Sequence, residues 1–209
     1  MSKYKWLIDA GHGGMHEGKY ATAPGKMHTF DDGLVIYEGV SNRAIAKKLV
    51  HLLTASGIDF ALIHDEDLDT PLGVRVHRAN SLHAKTGNCI YLSIHSDAMP
   101  KESQGKGSGF SVWTSVGQTK SDIIAEYFCK WYKSQIAEFK FRQDRMDGDS
   151  DEEEQFYGLA RSSCPAGLTE NLFFDNRREA EFLLSREGQD KIAIVLFTAI
   201  MEIENTKPI

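Results

Sequence analysis

Paired cysteine is what this sequence most plainly lacks. Cys89, Cys129 and Cys164 are odd in number and far apart, with no Cys-x-x-Cys pair. That excludes a disulfide-stapled miniature scaffold and leaves three thiols expected as small buried hydrophobes. A basic excess is missing too. Lysine and arginine total 24 against 30 acidic residues, a formal net charge of −6. Nonspecific attraction to nucleic acid through a basic face is thereby excluded, and an anionic polymer must be held by local contacts. No apolar run approaches the roughly 18–20 residues of a membrane span. Trp6–Ile8 before Asp9 is too short for the apolar region of a signal peptide. The expectation is a chain made in the cytoplasm, without a leader and without membrane insertion.

What is present is an ordinary globular composition: 209 residues, 41% hydrophobic and 26% charged, enough to bury a real core in one domain. Strand and helix signals alternate. Tyr4–Asp9 is an apolar run ending in the turn Gly11-His12-Gly13-Gly14, and the Gly-rich stretch from Gly13 to Gly33 reads as an extended loop. Val40–Leu53 repeats apolar residues at helical spacing, with Gly57 beyond it as a stop. The pattern predicts a strand over Ile58–Ile63, a helix over Leu72–Ala84, and a doubly covered strand over Cys89–His95. It continues with a strand over Ser108–Thr114, a helix over Ser121–Phe139, and a last strand over Gly167–Phe174. Arg177–Ile203 reads as one or two helices interrupted near Gly188. Such alternation predicts the α/β class around a mostly parallel sheet, with ligands gathered beyond the carboxyl ends of its strands.

The acidic run Asp144–Glu154 reads as a solvated connection. Asp147-Gly148-Asp149-Ser150-Asp151 opens like a calcium loop, but Glu152 stands at the sixth position where Gly is needed and Gly158 at the twelfth where Glu is needed.

Those strand ends carry His12, His95 and, inside the last strand, Glu170; Glu38 stands at the mouth of the first helix. Two imidazoles and a carboxylate make a catalytic zinc set that leaves one position open for water. The remaining histidines fit less well. His16, four residues after His12, follows two glycines that disfavour the helix a His-x3-His pair needs. His28 lies in a polar loop, His51, His77 and His83 on helices, and His64 at a strand end is the reserve ligand.

The segments around these residues resemble a family. Ile8-Asp9-Ala10-Gly11-His12-Gly13-Gly14, Tyr37-Glu38-Gly39-Val40-Ser41-Asn42, Leu92-Ser93-Ile94-His95-Ser96-Asp97-Ala98 and Leu168-Thr169-Glu170-Asn171-Leu172-Phe173 are similar, in order, to the four blocks of zinc-dependent N-acetylmuramoyl-L-alanine amidases of the amidase-3 group. Leu72-Gly73-Val74-Arg75 leading to Ala79-Asn80 resembles the helix between the second and third blocks. The resemblance implies a twisted, mostly parallel sheet flanked by helices on both faces. It also implies zinc held by His12, Glu38 and His95, and Glu170 as the catalytic carboxylate. Departures lie in the long polar stretch between His12 and Glu38, in Asp97 where Asn is common, and in His64-Asp65 where Arg is frequent.

The expected activity is hydrolysis of the amide bond between the lactyl group of N-acetylmuramic acid and L-alanine in peptidoglycan. Residues 1–209 are expected to form the catalytic domain, with no separate wall-binding module and no indicated protein partner. An endolysin-like role follows, in which the chain meets the wall after release from the cytoplasm. A zinc peptidase acting inside the stem peptide and a non-catalytic wall-binding domain are the rival expectations.

Overall fold

The computed structural model describes residues 2–145 and 148–209. The chain runs β1 (Lys5–Ala10), β2 (Met15–His16), β3 (Lys19–Tyr20), β4 (Met27–Thr29), β5 (Val35–Tyr37), α1 (Glu38–Ala55), β6 (Phe60–Leu62), α2 (Leu72–Thr86) and β7 (Cys89–Asp97). After a 3-10 turn come β8 (Ser111–Thr114), α3 (Lys120–Gln135), β9 (Glu152–Glu153), α4 (Tyr157–Arg161), β10 (Ala166–Phe173), α5 (Arg177–Leu184) and α6 (Arg186–Thr206).

Among the described residues, six strands form one sheet in the order β6-β1-β7-β10-β8-β9. Every pairing is parallel except β10 with β8, so the expected mostly parallel α/β sheet is what forms. Side chains alternate across it, as a period of two requires. Trp6, Ile8, Ile90, Leu92 and Ile94 enter the larger core with residues of α1, α3, α5 and α6. Leu7, Cys89, Tyr91, Ala166 and Leu168 enter the smaller core, which Ala79 of α2 and Leu159 of α4 complete. All three cysteines are buried and free.

Four expectations need correction. The stretch 13–33 is no plain loop: β2 with β3, and β4 with β5, fold it into two small antiparallel hairpins. The strand before Thr114 starts at Ser111, because Gly109 takes a φ of +102° that ends the extended run. The break in the C-terminal helix falls at Ser185, whose Oγ accepts from Gly188 N–H at 2.9 Å and caps α6. Gly188 serves close packing instead, since a Cβ there would meet the Phe182 carbonyl oxygen at 2.0 Å.

The acidic run is the fourth. Asp147 lies outside the described residues, but Ser150 and Asp151 are buried, and Glu152–Glu153 pair with Trp113 and Thr114 at the sheet edge. A run read as solvated from its charge is thus partly interior, and α4, which has no long apolar period, follows it.

Candidate active site

β7 and β10 pair so that His95 and Glu170 stand opposite each other at the carboxyl end of the sheet. Both lie on the side of Leu168 and Tyr91, facing α2 and α4. His12 follows β1 in the glycine turn and adopts a φ of +61°, a left-handed conformation that a non-glycine side chain rarely takes without a functional constraint. A Cβ on Gly11 would fall 2.1 Å from His95 Cε1, so only glycine lets the two imidazoles share this corner. Their rings meet edge to face at 4.9 Å between centroids.

Glu38 is the first residue of α1, where the positive end of the helix dipole favours a carboxylate. It is 1% exposed. Oε1 accepts from Asn42 Nδ2 and from Ser96 N–H, each at 3.3 Å, and lies 3.1 Å from His95 Nδ1 and 3.2 Å from His12 Nε2. One ligand atom each from His12, Glu38 and His95 lies within 4.8 Å of the other two. His12 Nε2 and Glu38 Oε2 are shielded from solvent and have no hydrogen-bond partner. Lys26 Nζ, brought in by the hairpin of β4 and β5, stands 3.8 Å from Glu38 Oε2.

The electrostatics suit a cation. Burial lowers the His12 pKa, which keeps the ring neutral and able to ligate. Burial acts to raise that of Glu38, but its contacts with His12 and His95 prevail and hold it well below the usual carboxylate range. Glu170 behaves in the opposite way: burial first, then the charges of Glu38 and Asp97, push its carboxyl well up. Its Oε2 is sealed and accepts no hydrogen bond. An uncompensated carboxylate beside another carboxylate is stable only with a proton or a cation near it.

Around the corner runs a cavity of roughly 540 Å³ lined by His12, His95 and Glu170 together with Lys26, Asp69, Leu72 and Tyr157. Leu72, Phe156 and Tyr157 leave an exposed apolar rim at its mouth.

The expected ligand set is therefore brought together. The reserve ligand His64 is not part of it: its Nδ1 accepts from Ala10 N–H at 3.0 Å and steadies the end of β1. His16 and His28 sit in the small hairpins, His28 against Phe30. His83 accepts from Cys89 N–H. Asp97 pairs with Arg142 at 2.8 Å.

Three features are absent from the sequence-based site. Arg75 of α2 donates to the Ala10 carbonyl at 2.8 Å and the His12 carbonyl at 3.0 Å while pairing with buried Asp9, so it clamps the turn that carries His12. Asp9 in turn accepts from Tyr91 Oη at 2.6 Å. Asn171 donates to the His95 carbonyl at 2.9 Å, from a strand made irregular by Leu172 with a φ of +66°. Arg75 stood in a motif, but its role needs the third dimension.

A family model described as N-acetylmuramoyl-L-alanine amidase matches residues 7–202. The endolysin of Bacillus phage SPP1 is 30% identical over 211 residues, covering 99% of this chain and 68% of the relative. The amidase CwlM of Bacillus licheniformis is 30% identical over 90% of this chain, which spans 64% of that relative's length. Among solved structures, an N-acetylmuramoyl-L-alanine amidase from Clostridium difficile 630 superposes with a TM-score of 0.78 at 23% identity, covering 99% of this chain and all of the other. That last likeness is one of fold.

Proposed function

The chain belongs to the N-acetylmuramoyl-L-alanine amidase family, and from that membership we propose that it cleaves the lactyl–L-alanine amide of peptidoglycan with zinc held by His12, Glu38 and His95. The observation that carries this reading is the shared corner of two imidazoles and one buried carboxylate, with Glu170 facing it in the same cavity. Residues 7–202 supply the catalytic domain. Among the described residues no helix is long and apolar enough to cross a membrane, and the substrate is the cell wall.

The donor set fits zinc: two imidazole nitrogens and one carboxylate oxygen make a three-ligand site with an open position. When bound, the ion supplies Lewis acidity to the scissile carbonyl and to a water. The chain does the rest. Glu170 takes the proton from the attacking water on its carboxylate and delivers it to the departing amine of L-alanine. Burial beside Glu38 and Asp97 raises its affinity for a proton, the direction a proton acceptor needs. Asn42 and the Ser96 amide orient Glu38, and Arg75 holds His12 in its left-handed turn. Lys26 and the rim of Leu72, Phe156 and Tyr157 line the channel that takes the polar and apolar parts of the substrate.

Mass spectrometry of digested peptidoglycan tests the assignment. The expected products are free stem peptides with an L-alanine N-terminus and glycan bearing intact lactyl groups, abolished by a chelator and restored by zinc. Stem peptide stubs left on muramic acid would make the chain a peptidase, and an unaltered wall would make it a binding domain.

A further inference from the structure

A second group of metal-ligating side chains lies far from this corner. Asp122 in the first turn of α3, Asp149 and Asp151 each place a carboxylate oxygen within 4.8 Å of the others. The cluster sits by the end of β8, next to the edge strand β9 and near the amino end of β10. Asp122 and Asp151 are buried, and Asp149 is half-buried.

Asp151 is the telling residue. It is 1% exposed. Its Oδ2 accepts from Thr114 Oγ1 at 2.7 Å, while Oδ1 is sealed from solvent and accepts no hydrogen bond. Thr114 Oγ1 lies 2.9 Å from Asp122 Oδ1 as well, so one hydroxyl proton is divided between two carboxylates. The side-chain charges that act most on Asp151 are both negative, Asp149 and Asp122; with burial, the larger cause, they push its carboxyl up to about 7. The nearby cation Lys133 is turned to Ser150 Oγ at 2.9 Å and to the ring of Phe141. A buried, unpaired carboxylate oxygen costs free energy unless something positive reaches it.

We propose that Asp122, Asp149 and Asp151 form a calcium site, distinct from the zinc centre, that ties the start of α3 to the segment entering β9. All three donors are oxygens, which selects a hard cation over zinc. Two oxygens on one Ca²⁺ at 2.3–2.6 Å lie no more than about 5 Å apart, which accommodates the observed spacing. Mg²⁺ demands shorter, near-octahedral coordination and sheds water reluctantly, so calcium is favoured. The failed calcium-loop pattern of 147–158 is no obstacle, because Asp122 comes from a different element and the site owes nothing to that twelve-residue spacing. The tied segment leads through β9 to Phe156 and Tyr157 at the cavity rim.

The test uses the zinc-loaded chain, titrated with calcium chloride by calorimetry and melted with and without the ion. One equivalent of calcium beyond the zinc is expected. At 100-fold excess over Kd the melting temperature should rise by about 5–10 °C, with a smaller rise for magnesium. Asp151→Asn should abolish uptake and shift while retaining one equivalent of zinc, and zinc retention reports that the variant is folded. If Asp151→Asn does not fold, Asp149→Asn, at the half-buried position, is expected to weaken uptake at least tenfold and decides the matter. No uptake by wild type at about 10 mM calcium, tenfold above the weakest extracellular-module affinities, overturns the proposal. So does undiminished binding in the folded variants. The readout is calcium, so failure here leaves the amidase reading untouched; should the chain hold no zinc, a cooperative melting transition reports the fold of each variant and the calcium outcome stands.

Discussion

The corner at His12, Glu38 and His95 and the cluster at Asp122, Asp149 and Asp151 stand at opposite ends of β10. The first mixes nitrogen and oxygen donors, opens on a cavity and faces a carboxylate whose proton affinity is raised. The second is all oxygen and lines no part of that cavity. Donor type and access separate the two: a site for chemistry needs an open position and a proton carrier, whereas a brace needs only enclosure. The outward side of each is instructive as well. Asn42, Ser96 and Arg75 hold the first from behind, and Thr114 with the capping box of α3 holds the second.

Breaking the first site while sparing the second gives the largest effect. His12→Ala should lose zinc, with an affinity drop beyond the roughly 10–100-fold typical of losing a supporting partner, and wall-clearing activity should vanish; metal analysis showing one retained equivalent would remove His12 from the ligand set. Glu170→Ala separates holding an ion from using it. Activity should fall on the order of 10²–10⁴-fold with zinc content unchanged, and a variant as fast as wild type would falsify its role as proton carrier.

Arg75→Ala probes the support of the first site rather than its ligands. Removing the guanidinium leaves Asp9 buried and unpaired, a change that costs about 3–5 kcal/mol in such pairs, measurable by denaturant unfolding. A loss under 1 kcal/mol would mean that water replaces the clamp.

The smallest of these effects is a pH dependence. Burial lowers the His64 pKa to about 4, so the unfolded chain binds a proton near pH 6.5 that the folded chain refuses until about pH 4. Stability is therefore full above 6.5 and declines as pH falls through that window, by roughly 3 kcal/mol from this residue. His64→Gln should flatten the acid limb of the stability curve; an unchanged slope would assign that limb to other groups.

Much of the first site is legible in the residue order because each ligand sits in its own short block, and glycine around His12 announces a close approach. The second is legible only as charge. Asp151 reads as solvated because charge runs usually are, yet β8 pairs with Glu152 and Glu153, and Asp151 beside them is buried. Likewise an interruption is expected near Gly188 on local grounds; the break falls at Ser185, and the Phe182 carbonyl beside Gly188 shows a packing contact. The hairpins between β1 and α1 escape notice because two- and three-residue strands are too short to show a period.

Periodicity and block order alone pointed to the α/β class and the parallel core strands, and singled out His12, Glu38, His95 and Glu170 as the expected site, because those signals are local or repeat along the chain. The tertiary structure alone decided that Arg75 reaches the His12 turn, that Lys26 swings over Glu38, and that Asp122 meets Asp149 and Asp151. Each of these joins groups distant in sequence, and such meetings depend on strand register and helix placement, which no local pattern encodes.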